Sequence, residues 1–339
     1  MKIVFCGGGT AGHVTPNFAL MEKLHKHKLY YVGTNGIEKA LTRPYVADGT
    51  LEEYREITAG KLKRSFALSN LTLPFTLAKS IKQSKKHLEE IAPDVVFSKG
   101  GFVGLPVVIA ARKLKIPTII HESDMSLGLA NKISSWYATK LLTTFPCTKK
   151  GQTVGGIVRQ SIMQGNRQKG LDTMGFDGKK PILLVMGGSL GAGALNNAIS
   201  NQPLLATKFD IFVITGKGKK IVCDFVHQAE YVNNIADILQ ATDVCLTRAG
   251  SNSLVEMTLA NLPFVAVPLK KGSRGEQIKN AKWFAQKGCG VYLDESNLTS
   301  LTPTLLSLYK NRQAIITKQK QCAYLNGTDK VMQEILKYK

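Results

Sequence analysis

The sequence predicts two α/β domains, each built on a parallel β-sheet, that face each other across a cleft. Two short apolar runs, Lys2 to Cys6 and Ile182 to Met186, each lead directly into a glycine-rich turn. This pattern is typical of a buried parallel strand followed by a helix. The turns begin 180 residues apart, at Gly7 and Gly187, which fits two domains of similar build. Strand-like and helical patterns alternate along most of the chain, as expected for right-handed parallel units.

The predicted strands form two series. In the first half they are Lys2 to Cys6, Leu29 to Val32, Tyr54 to Ile57, Asp94 to Phe97, Thr118 to His121 and Lys140 to Thr143. In the second half they are Ile182 to Met186, Ile211 to Ile214, Asp243 to Leu246, Phe264 to Val267 and Val291 to Leu293. Ligands of such sheets bind beyond the carboxyl ends of the strands. We therefore expect the site residues in the turns that follow them.

The domain boundary is expected where regular patterns are weakest, between residues 151 and 177. We place the first domain at residues 1–159 and the second at residues 160–322. For the C-terminal helix, about residues 323–339, one option is that it packs back on the first domain.

The composition indicates a globular protein with anionic partners. The 339 residues, of which 44% are hydrophobic, suffice for two buried cores. The formal net charge of +21 points to nucleic acid, anionic lipid headgroups or phosphorylated small molecules. The chain has neither the aromatic-rich strand of RNA-recognition modules nor paired zinc-ligand spacing, which argues against the first of these. A non-enzymatic nucleic-acid binder remains an alternative.

Cysteine usage and the N-terminal pattern indicate a reduced, cytosolic protein. The six cysteines show no C-x-x-C spacing, so we expect buried thiols. The N-terminal apolar run is expected to be a first strand rather than a secretory signal. No apolar stretch approaches the roughly 18 residues that a membrane-spanning helix needs.

The first glycine-rich turn allows more than one interpretation. Gly7 to Gly12 satisfies G-x-G-x-x-G after a strand, which is typical of dinucleotide binding, so a Rossmann-type dehydrogenase is an alternative. Such a site also needs an acidic residue at the end of the second strand, and that strand ends in Val32 to Asn35 without one. His13, at the end of the turn, is a candidate general base; alternatively, it contacts phosphate or fills the turn.

Two further turns carry candidate anion sites. Lys99 to Pro106 contains three glycines after an apolar strand, although glycines also simply permit tight turns. In Arg248 to Glu256, small hydroxyl residues at a helix start are suited to a diphosphate, and Glu256 to the two hydroxyls of a ribose. Alternatively, Ser253 to Glu256 is a capping box, S-x-x-E, that needs no ligand.

Metal chemistry is not expected. The only close histidine pair, His25 and His27, lies in a lysine-rich segment, and the chain has no D-x-D pair. The charge of a leaving diphosphate would then be stabilised by helix N-termini and basic side chains.

The segment from 60 to 90 combines apolar and basic residues. This combination is typical of a surface element on an anionic membrane interface. Alternatively, it is a solvated lysine face on a helix packed against the core. The apolar residues are Phe66, Leu68, Leu71, Leu73, Phe75 and Leu77, and the lysines after them are Lys79, Lys82, Lys85 and Lys86.

Seven motifs, in order over nearly the whole chain, resemble those of the MurG family. They are Gly8 to Val14, Lys99 to Gly101, His121 to Asp124, Gly128 to Lys132, Met186 to Ala192, Arg248 to Ser251 and Glu276 to Ala281. Members of this family transfer N-acetylglucosamine from UDP-N-acetylglucosamine to lipid I. The lipid II that forms serves peptidoglycan synthesis, and with it cell-wall growth, cell shape and division.

The resemblance implies a GT-B glycosyltransferase fold and an inverting transfer that uses no metal and no cofactor. It also implies a peripheral position on the cytoplasmic face of the bacterial cell membrane. There the first domain would contact the acceptor lipid I and anionic inner-leaflet lipids, and the second would bind the donor. No specific nucleic-acid partner is implied.

The family's functional residues carry over onto matching positions of this chain. In the first domain and at the domain boundary, the residues at the acceptor pyrophosphate, the donor sugar and the diphosphate are Thr10, Ala11, Gly12, His13, Asp124 and Arg159. In the second domain, the residues that match contacts to the diphosphate, uracil, ribose and donor sugar are Ser189, Val232, Ser251, Asn252, Ser253, Glu256 and Gln277.

The chain also departs from the family pattern. Many members have Asn at the position of Asp124, and an extra carboxylate near the reacting sugar makes Asp124 and Glu122 alternatives to His13 as the catalytic base. Ala11 replaces a common glycine, which predicts a stiffer turn. The spacing between 270 and 275 also differs, so Gln277 is assigned as a ligand and Glu276 is not.

Overall fold

The computed structural model describes residues 1–60, 73–188, 193–270 and 275–339. Their contacts divide the chain into two compact units. The first unit is Met1–Arg159 together with Asn326–Lys339, and the second unit is Gln160–Leu325. Each unit carries one parallel sheet.

The strands of the first unit run in the order β3-β2-β1-β4-β5-β6-β7, and every neighbouring pair is parallel. They are β1 (Lys2–Cys6), β2 (Lys28–Gly33), β3 (Glu53–Glu56), β4 (Val95–Ser98), β5 (Thr118–Glu122), β6 (Lys140–Thr143) and β7 (Gln152–Thr153). The chain order reverses between β1 and β4, where Cys6 pairs with Ser98. The turns after these two strands therefore lie side by side, at the position where open α/β sheets bind ligands.

Helices cover both faces of this sheet. They are α1 (Thr15–Leu24), α2 (Ile37–Ala47), α3 (Leu73–Ile91), α4 (Gly101–Lys113) and α5 (Leu129–Ser134). Because successive side chains of a strand point to opposite faces, Ile3 and Phe5 pack with Phe18 of α1 on one side, and Val4 packs with Val107 of α4 on the other. Burial on both faces explains why these strands read as continuous apolar runs.

The second unit repeats the same strand topology, in the order β10-β9-β8-β11-β12-β13. Its strands are β8 (Ile182–Met186), β9 (Asp210–Ile214), β10 (His227–Ala229), β11 (Val244–Thr247), β12 (Phe264–Ala266) and β13 (Val291–Tyr292). The helices are α6 (Arg167–Met174), α7 (Gly193–Ser200), α8 (Pro203–Ala206), α9 (Ile235–Ala241), α10 (Ser251–Leu259), α11 (Glu276–Gln286), α12 (Leu301–Lys310) and α13 (Arg312–Lys320). Here the strand order reverses between β8 and β11, so the turns after these strands are neighbours.

The last helix, α14 (Thr328–Leu336), packs in the first unit. The Thr328 hydroxyl accepts a hydrogen bond from the Val158 amide and donates one to the Val158 carbonyl, both at 2.9 Å. Val331 and Ile335 are fully buried in the core that contains Ile3. The sequence allowed the C-terminal helix, at about residues 323–339, to pack back on the first domain. Residues 326–339 belong to the first unit, and residues 323–325 belong to the second.

The predicted strands are all present, and the prediction missed two. The missing strands are β7 and β10, of two and three residues. Both are short and polar at their first residues, Gln152 and His227, so they carry no apolar signal. The stretch from 151 to 177, expected to be irregular, also contains α6. Among the described helices, none has the length and apolar character needed to cross a membrane.

Candidate functional site

The turn after β1 presents Thr10 and His13 at the carboxyl edge of the first sheet. Gly7 and Gly9 have φ angles of 144° and 81°, which favour glycine. A 3-10 turn at Ala11–His13 then leads into α1, and Ala11, Gly12 and His13 are each partly buried. The Thr10 hydroxyl lies 2.9 Å from the His13 Nδ1 atom. His13 is thus held from its Nδ1 side within its own turn.

The turn after β4 packs directly against the first turn. Gly100 and Gly101 have φ angles of 93° and 76°. A Cβ atom at Gly101 would lie 2.6 Å from the Gly8 carbonyl oxygen and 3.4 Å from His13 Nδ1. Gly101 therefore allows the close approach of two backbones beside His13, and Gly100 leaves room for the Asn131 side chain. Both contacts fit the interpretation as tight-turn glycines.

Glu122 shapes the turn that follows β5. Its side chain is buried and accepts hydrogen bonds from the Asp124 amide, the Gly128 amide and the Asn131 side-chain amide, each at 3.0 Å. Burial raises the pKa of Glu122, and the nearby Asp124 charge raises it further. Asp124 itself is partly buried on this turn. The Glu122 carboxylate thus holds the backbone that carries Asp124.

A buried lysine, Lys99, also supports the turn after β5. The Lys99 ammonium donates to His121 Nδ1 at 2.8 Å and to the Ser123 hydroxyl. His121 Nε2 lies 3.0 Å from the Gly155 carbonyl, so Nε2 carries the ring proton and Nδ1 accepts. Burial lowers the pKa of Lys99 to about 8, and burial together with the Lys99 charge lowers that of His121 well below its usual range. His121 is therefore neutral.

In the second unit, the turn after β11 opens α10. Gly250 occupies the N-cap position in an extended conformation, and the helix starts at Ser251. Ser253 is consequently the third residue of the helix, and Glu256 lies in its second turn. The capping-box interpretation of these two residues is wrong, because the helix begins three residues earlier than that motif requires. The first-turn amides, from Ser251 to Ser253, have no acceptor within the helix itself.

Buried side chains hold this turn in position. Arg248 is 6% exposed, donates to the Val267 carbonyl at 3.2 Å, and forms an ion pair with Glu295 at 2.6 Å. The Asn280 side-chain amide donates to the Ala249 carbonyl at 3.2 Å. Gln277, on the first turn of α11, accepts from the Leu269 amide at 3.1 Å through its Oε1 atom. The turn before α10 is thus held by Arg248, which follows β11, and by Asn280 of α11.

The remaining predicted site residues are Val232, Arg159 and Ser189. Val232 lines a cavity of about 610 Å³ between the β10–α9 turn and the end of α6, together with Tyr231 and Met174. Arg159 is partly buried at the end of the first unit. Ser189 lies outside the described residues, between 188 and 193.

Helix α3 carries the described part of the apolar and basic segment. Its buried side is formed by Ser80, Ser84, Leu88 and Ile91. The lysines after Leu77 are all exposed, as the core-packed interpretation requires. Phe75 is 79% exposed, which that interpretation does not explain. Residues 61–72, with Phe66, Leu68 and Leu71, lie outside the described part of the chain.

Several buried polar residues received no role from the sequence. Glu38, on the first turn of α2, is fully buried and accepts a hydrogen bond from the Gly9 amide at 3.2 Å. Lys99 and Arg248 were part of the motifs but carried no assigned function. Lys99 and Arg248 each follow the end of a strand, and Glu38 lies on the first turn of a helix. Those positions are the sequence signal from which a role could have been predicted. Within the four described ranges, no group of three His, Cys, Asp or Glu side chains could hold a metal ion.

Two doubly wound units with polar turns at their carboxyl edges are the architecture of the GT-B glycosyltransferase fold. Solved structures support this assignment. The MurG of Acinetobacter baumannii is 25% identical to this chain, with a TM-score of 0.76 and coverage of 99% of both chains. The calicheamicin glycosyltransferase CalG4 shares the fold at 16% identity, with a TM-score of 0.69 and coverage of 99% and 98%.

Sequence comparisons narrow the class to one family. The Glycosyltransferase family 28 N-terminal domain matches residues 3–143, and the corresponding C-terminal domain matches residues 182–335. A Clostridium tetani protein is 42% identical over 99% of this chain and 98% of its own length. A Clostridium botulinum relative is 41% identical with the same coverage. Both are named UDP-N-acetylglucosamine--N-acetylmuramyl-(pentapeptide) pyrophosphoryl-undecaprenol N-acetylglucosamine transferase. The chain belongs to glycosyltransferase family 28 and, within it, to the MurG family.

Proposed function

We propose that this chain transfers N-acetylglucosamine from UDP-N-acetylglucosamine to the muramoyl 4-hydroxyl of lipid I, forming lipid II for peptidoglycan synthesis. The observation that carries the proposal is the likeness at 42% identity over nearly the full length of a relative named for this reaction. In each unit, the turns that follow the strands supply polar groups at the edge where such sheets bind ligands.

The donor nucleotide is assigned to the second unit. The first-turn amides of α10 and the hydroxyls of Ser251 and Ser253 are suited to the diphosphate, because a helix N-terminus favours negative charge. Glu256 is the proposed ribose ligand, because the start of α10 at Ser251 places it in the second helical turn rather than in a capping box. Asn252, Ser189, Arg159 and Gln277 are proposed as further donor contacts, with Val232 beside uracil. The same helix N-termini would offset charge on the departing UDP.

His13 is the proposed catalytic base. For Nε2 to accept the proton of the acceptor hydroxyl, Nδ1 must be protonated. Its N–H then donates a hydrogen bond to the Thr10 hydroxyl, 2.9 Å away. Glu122 is a poorer candidate, since its carboxylate already accepts three hydrogen bonds and is only 5% exposed. Asp124 remains the alternative base. Attack on the anomeric carbon as UDP leaves would invert its configuration in one step.

The reaction is proposed to need neither a metal nor a cofactor, because helix N-termini and basic side chains replace a cation at the diphosphate. The enzyme is proposed to act on the cytoplasmic face of the bacterial membrane as a peripheral protein. Exposed Phe75 and the exposed lysines of α3 would contact anionic inner-leaflet lipids there. Salt-sensitive binding to vesicles of anionic phospholipid, absent for neutral vesicles, is the expected observation.

The direct test is transfer of labelled N-acetylglucosamine from its UDP conjugate to a lipid I analogue, with and without EDTA. We expect lipid II formation in both, and no transfer to the analogue would refute the proposal. A complete loss with EDTA that Mg²⁺ restores would refute metal independence alone.

His13→Ala tests the assignment of the base in the same assay. Because general base catalysis contributes about 100-fold or more, we expect kcat to fall by that factor with little change in UDP affinity. Thr10→Val is the matched variant, since it keeps the ring but removes its Nδ1 partner, and we expect a smaller fall in kcat. Unchanged turnover of His13→Ala would transfer the role to Asp124.

Glu256→Ala tests the ribose contact. We expect the donor KM to rise by about 10-fold or more, because a carboxylate that binds two hydroxyls contributes charge-assisted hydrogen bonds. UDP-induced thermal stabilisation should fall in parallel. A donor KM unaffected by Glu256→Ala would exclude the ribose role.

A further inference from the structure

Glu38 is a fully buried carboxylate whose partners all belong to two turns. Its Oε2 atom accepts from the Gly9 amide at 3.2 Å, and its Oε1 atom accepts from the Thr34 amide at 2.9 Å and from the Thr34 hydroxyl. No ion pair of the described residues includes Glu38. Its charge is therefore held by backbone and hydroxyl groups at the start of α2, where a helix favours an anion.

The Glu38 carboxylate lies against the glycine backbone of the turn after β1. A Cβ atom at Gly8 would come within 2.6 to 2.8 Å of the carboxyl atoms of Glu38, so the group sits directly against the glycine backbone. In dinucleotide folds, the amides of this turn face the pyrophosphate. Here the Gly9 amide already faces a negative charge that belongs to the protein. A ligand phosphate at the same amide would be repelled by it.

The network continues from Glu38 to His13. Gly9 is confined on its other side, because a Cβ atom there would lie 2.3 Å from the Phe102 ring. The next residue, Thr10, holds His13 Nδ1 at 2.9 Å. Behind the turn, the Tyr31 hydroxyl donates to the Gly7 carbonyl at 2.7 Å, and the Tyr54 hydroxyl donates to the Thr34 carbonyl at 2.6 Å. Each of the two turns that Glu38 connects is thus also held by a tyrosine hydroxyl.

We propose that Glu38 is a positioning residue: an internal anion that fixes the Gly7–Gly9 turn in the geometry that presents His13, and that keeps a ligand phosphate off the Gly9 amide. The inference rests on the proposed role of His13 for its effect on turnover. Its structural part, the order of the turn, is independent of that role.

Glu38→Gln is the first test, because it keeps the size of the side chain but replaces one acceptor oxygen with a donor. We expect kcat to fall by about 10- to 100-fold, since small misplacements of a reacting group cost factors of this size. The donor KM should stay within about twofold, because the donor is assigned to the second unit. Glu52→Gln is the matched control, as Glu52 is exposed, and it should behave as the unaltered protein.

Amide hydrogen exchange supplies a readout that does not depend on activity. In Glu38→Gln we expect faster exchange at Gly9 and through the turn to His13, with the turn after β11 unchanged. Faster exchange with unaltered kcat would overturn the link to His13. Unaltered exchange would overturn the proposal itself. If the unaltered enzyme transfers no sugar, the proposed function fails, and the exchange result still decides whether Glu38 orders the turn.

Formate provides the complementary test with Glu38→Ala. This variant leaves the Gly9 amide without its anion, so added formate should restore part of kcat and slow the exchange of that amide, whereas chloride at equal ionic strength should not. Absence of rescue in a folded variant would contradict the role as an anion. Should both Glu38 variants fail to fold, Thr34→Val keeps the carboxylate but removes one donor, and an unchanged kcat with unchanged exchange would overturn the proposal.

Discussion

Lys99 illustrates how a single buried charge is retained beside the candidate site. Among the described residues, its ammonium has uncharged direct partners, His121 and Ser123, while the carboxylates of Glu122 and Asp124 act on it through space. Burial penalises the charged form and lowers its pKa from the ordinary 10.5 to about 8, although the carboxylates act in the opposite direction. A group with a lowered pKa makes stability depend on pH, with a sign that follows from proton binding.

Lys99→Met should remove this dependence. Between pH 8 and 10.5 the unfolded chain binds more protons at Lys99 than the folded chain does, so the free energy of unfolding rises with pH in this window. Across this window, the free energy of unfolding of the unaltered protein should rise by at most about 3 kcal/mol more than that of Lys99→Met. Urea denaturation at several pH values measures it, with exposed Lys113→Met as control. Parallel pH profiles for the unaltered protein and Lys99→Met would contradict the assignment.

The packing of α6 on α9 shows how one missing side chain sets the distance between two elements. Gly170 lies inside α6, and a Cβ atom there would come within 2.1 Å of the Asp237 carbonyl oxygen. Gly165, just before the helix, has the same relation to the Ala236 carbonyl, also at 2.1 Å. Both carbonyls belong to α9, so the two helices are in backbone contact.

Gly170→Ala tests this contact. Alanine favours a helix over glycine by about 1 kcal/mol, whereas overpacking costs typically 1–3 kcal/mol and more when backbone must move. We expect the clash to dominate and the urea midpoint to fall. Gly193→Ala in α7 is the matched control, because no atom of the described residues lies within 4 Å of its added Cβ, and it should be neutral or stabilising. A Gly170→Ala protein as stable as the unaltered one would show that the helices can separate freely.

At the scale of the whole molecule, the chain returns to the first unit after completing the second. Residues 326–339 join the first unit, and α14 contributes two fully buried side chains, Val331 and Ile335, to its core. Lys140 of β6 forms an ion pair with Glu334 at 2.6 Å. The stability of the first unit therefore depends on residues that are distant in sequence.

Ile335→Ala should weaken the first unit selectively. Truncation of a buried isoleucine costs about 2–5 kcal/mol, because apolar burial is lost and a cavity remains. Amide exchange should accelerate in β1 and β2 but not in β8 and β9. Gln333→Ala, on the exposed side of the same helix, should change neither. Equal acceleration in both units would indicate that they unfold together.

Much of the candidate site could be predicted from local sequence, but the buried residues that hold its turns in place could not. The contact between Thr10 and His13 joins residues three apart, so the turn itself nearly dictates it. The bond from Gly9 to Glu38 joins residues 29 apart, and no local pattern predicts it. For residues 251–256 the sequence left two interpretations open, and the helix start at Ser251 with Gly250 as N-cap contradicts the S-x-x-E capping box. Whether the two units face each other across a cleft stays a prediction.

Hydrophobic patterning specified the described strands other than β7 and β10, together with the parallel arrangement and the duplicated architecture, because buried strands leave a direct signature in consecutive apolar residues. Two features depended on tertiary structure: the buried polar groups under the turns, such as Glu38 and Lys99, and the return of α14 to the first unit. Such groups are stabilised only by partners that the folded chain brings together, and a sequence does not record which partners these are.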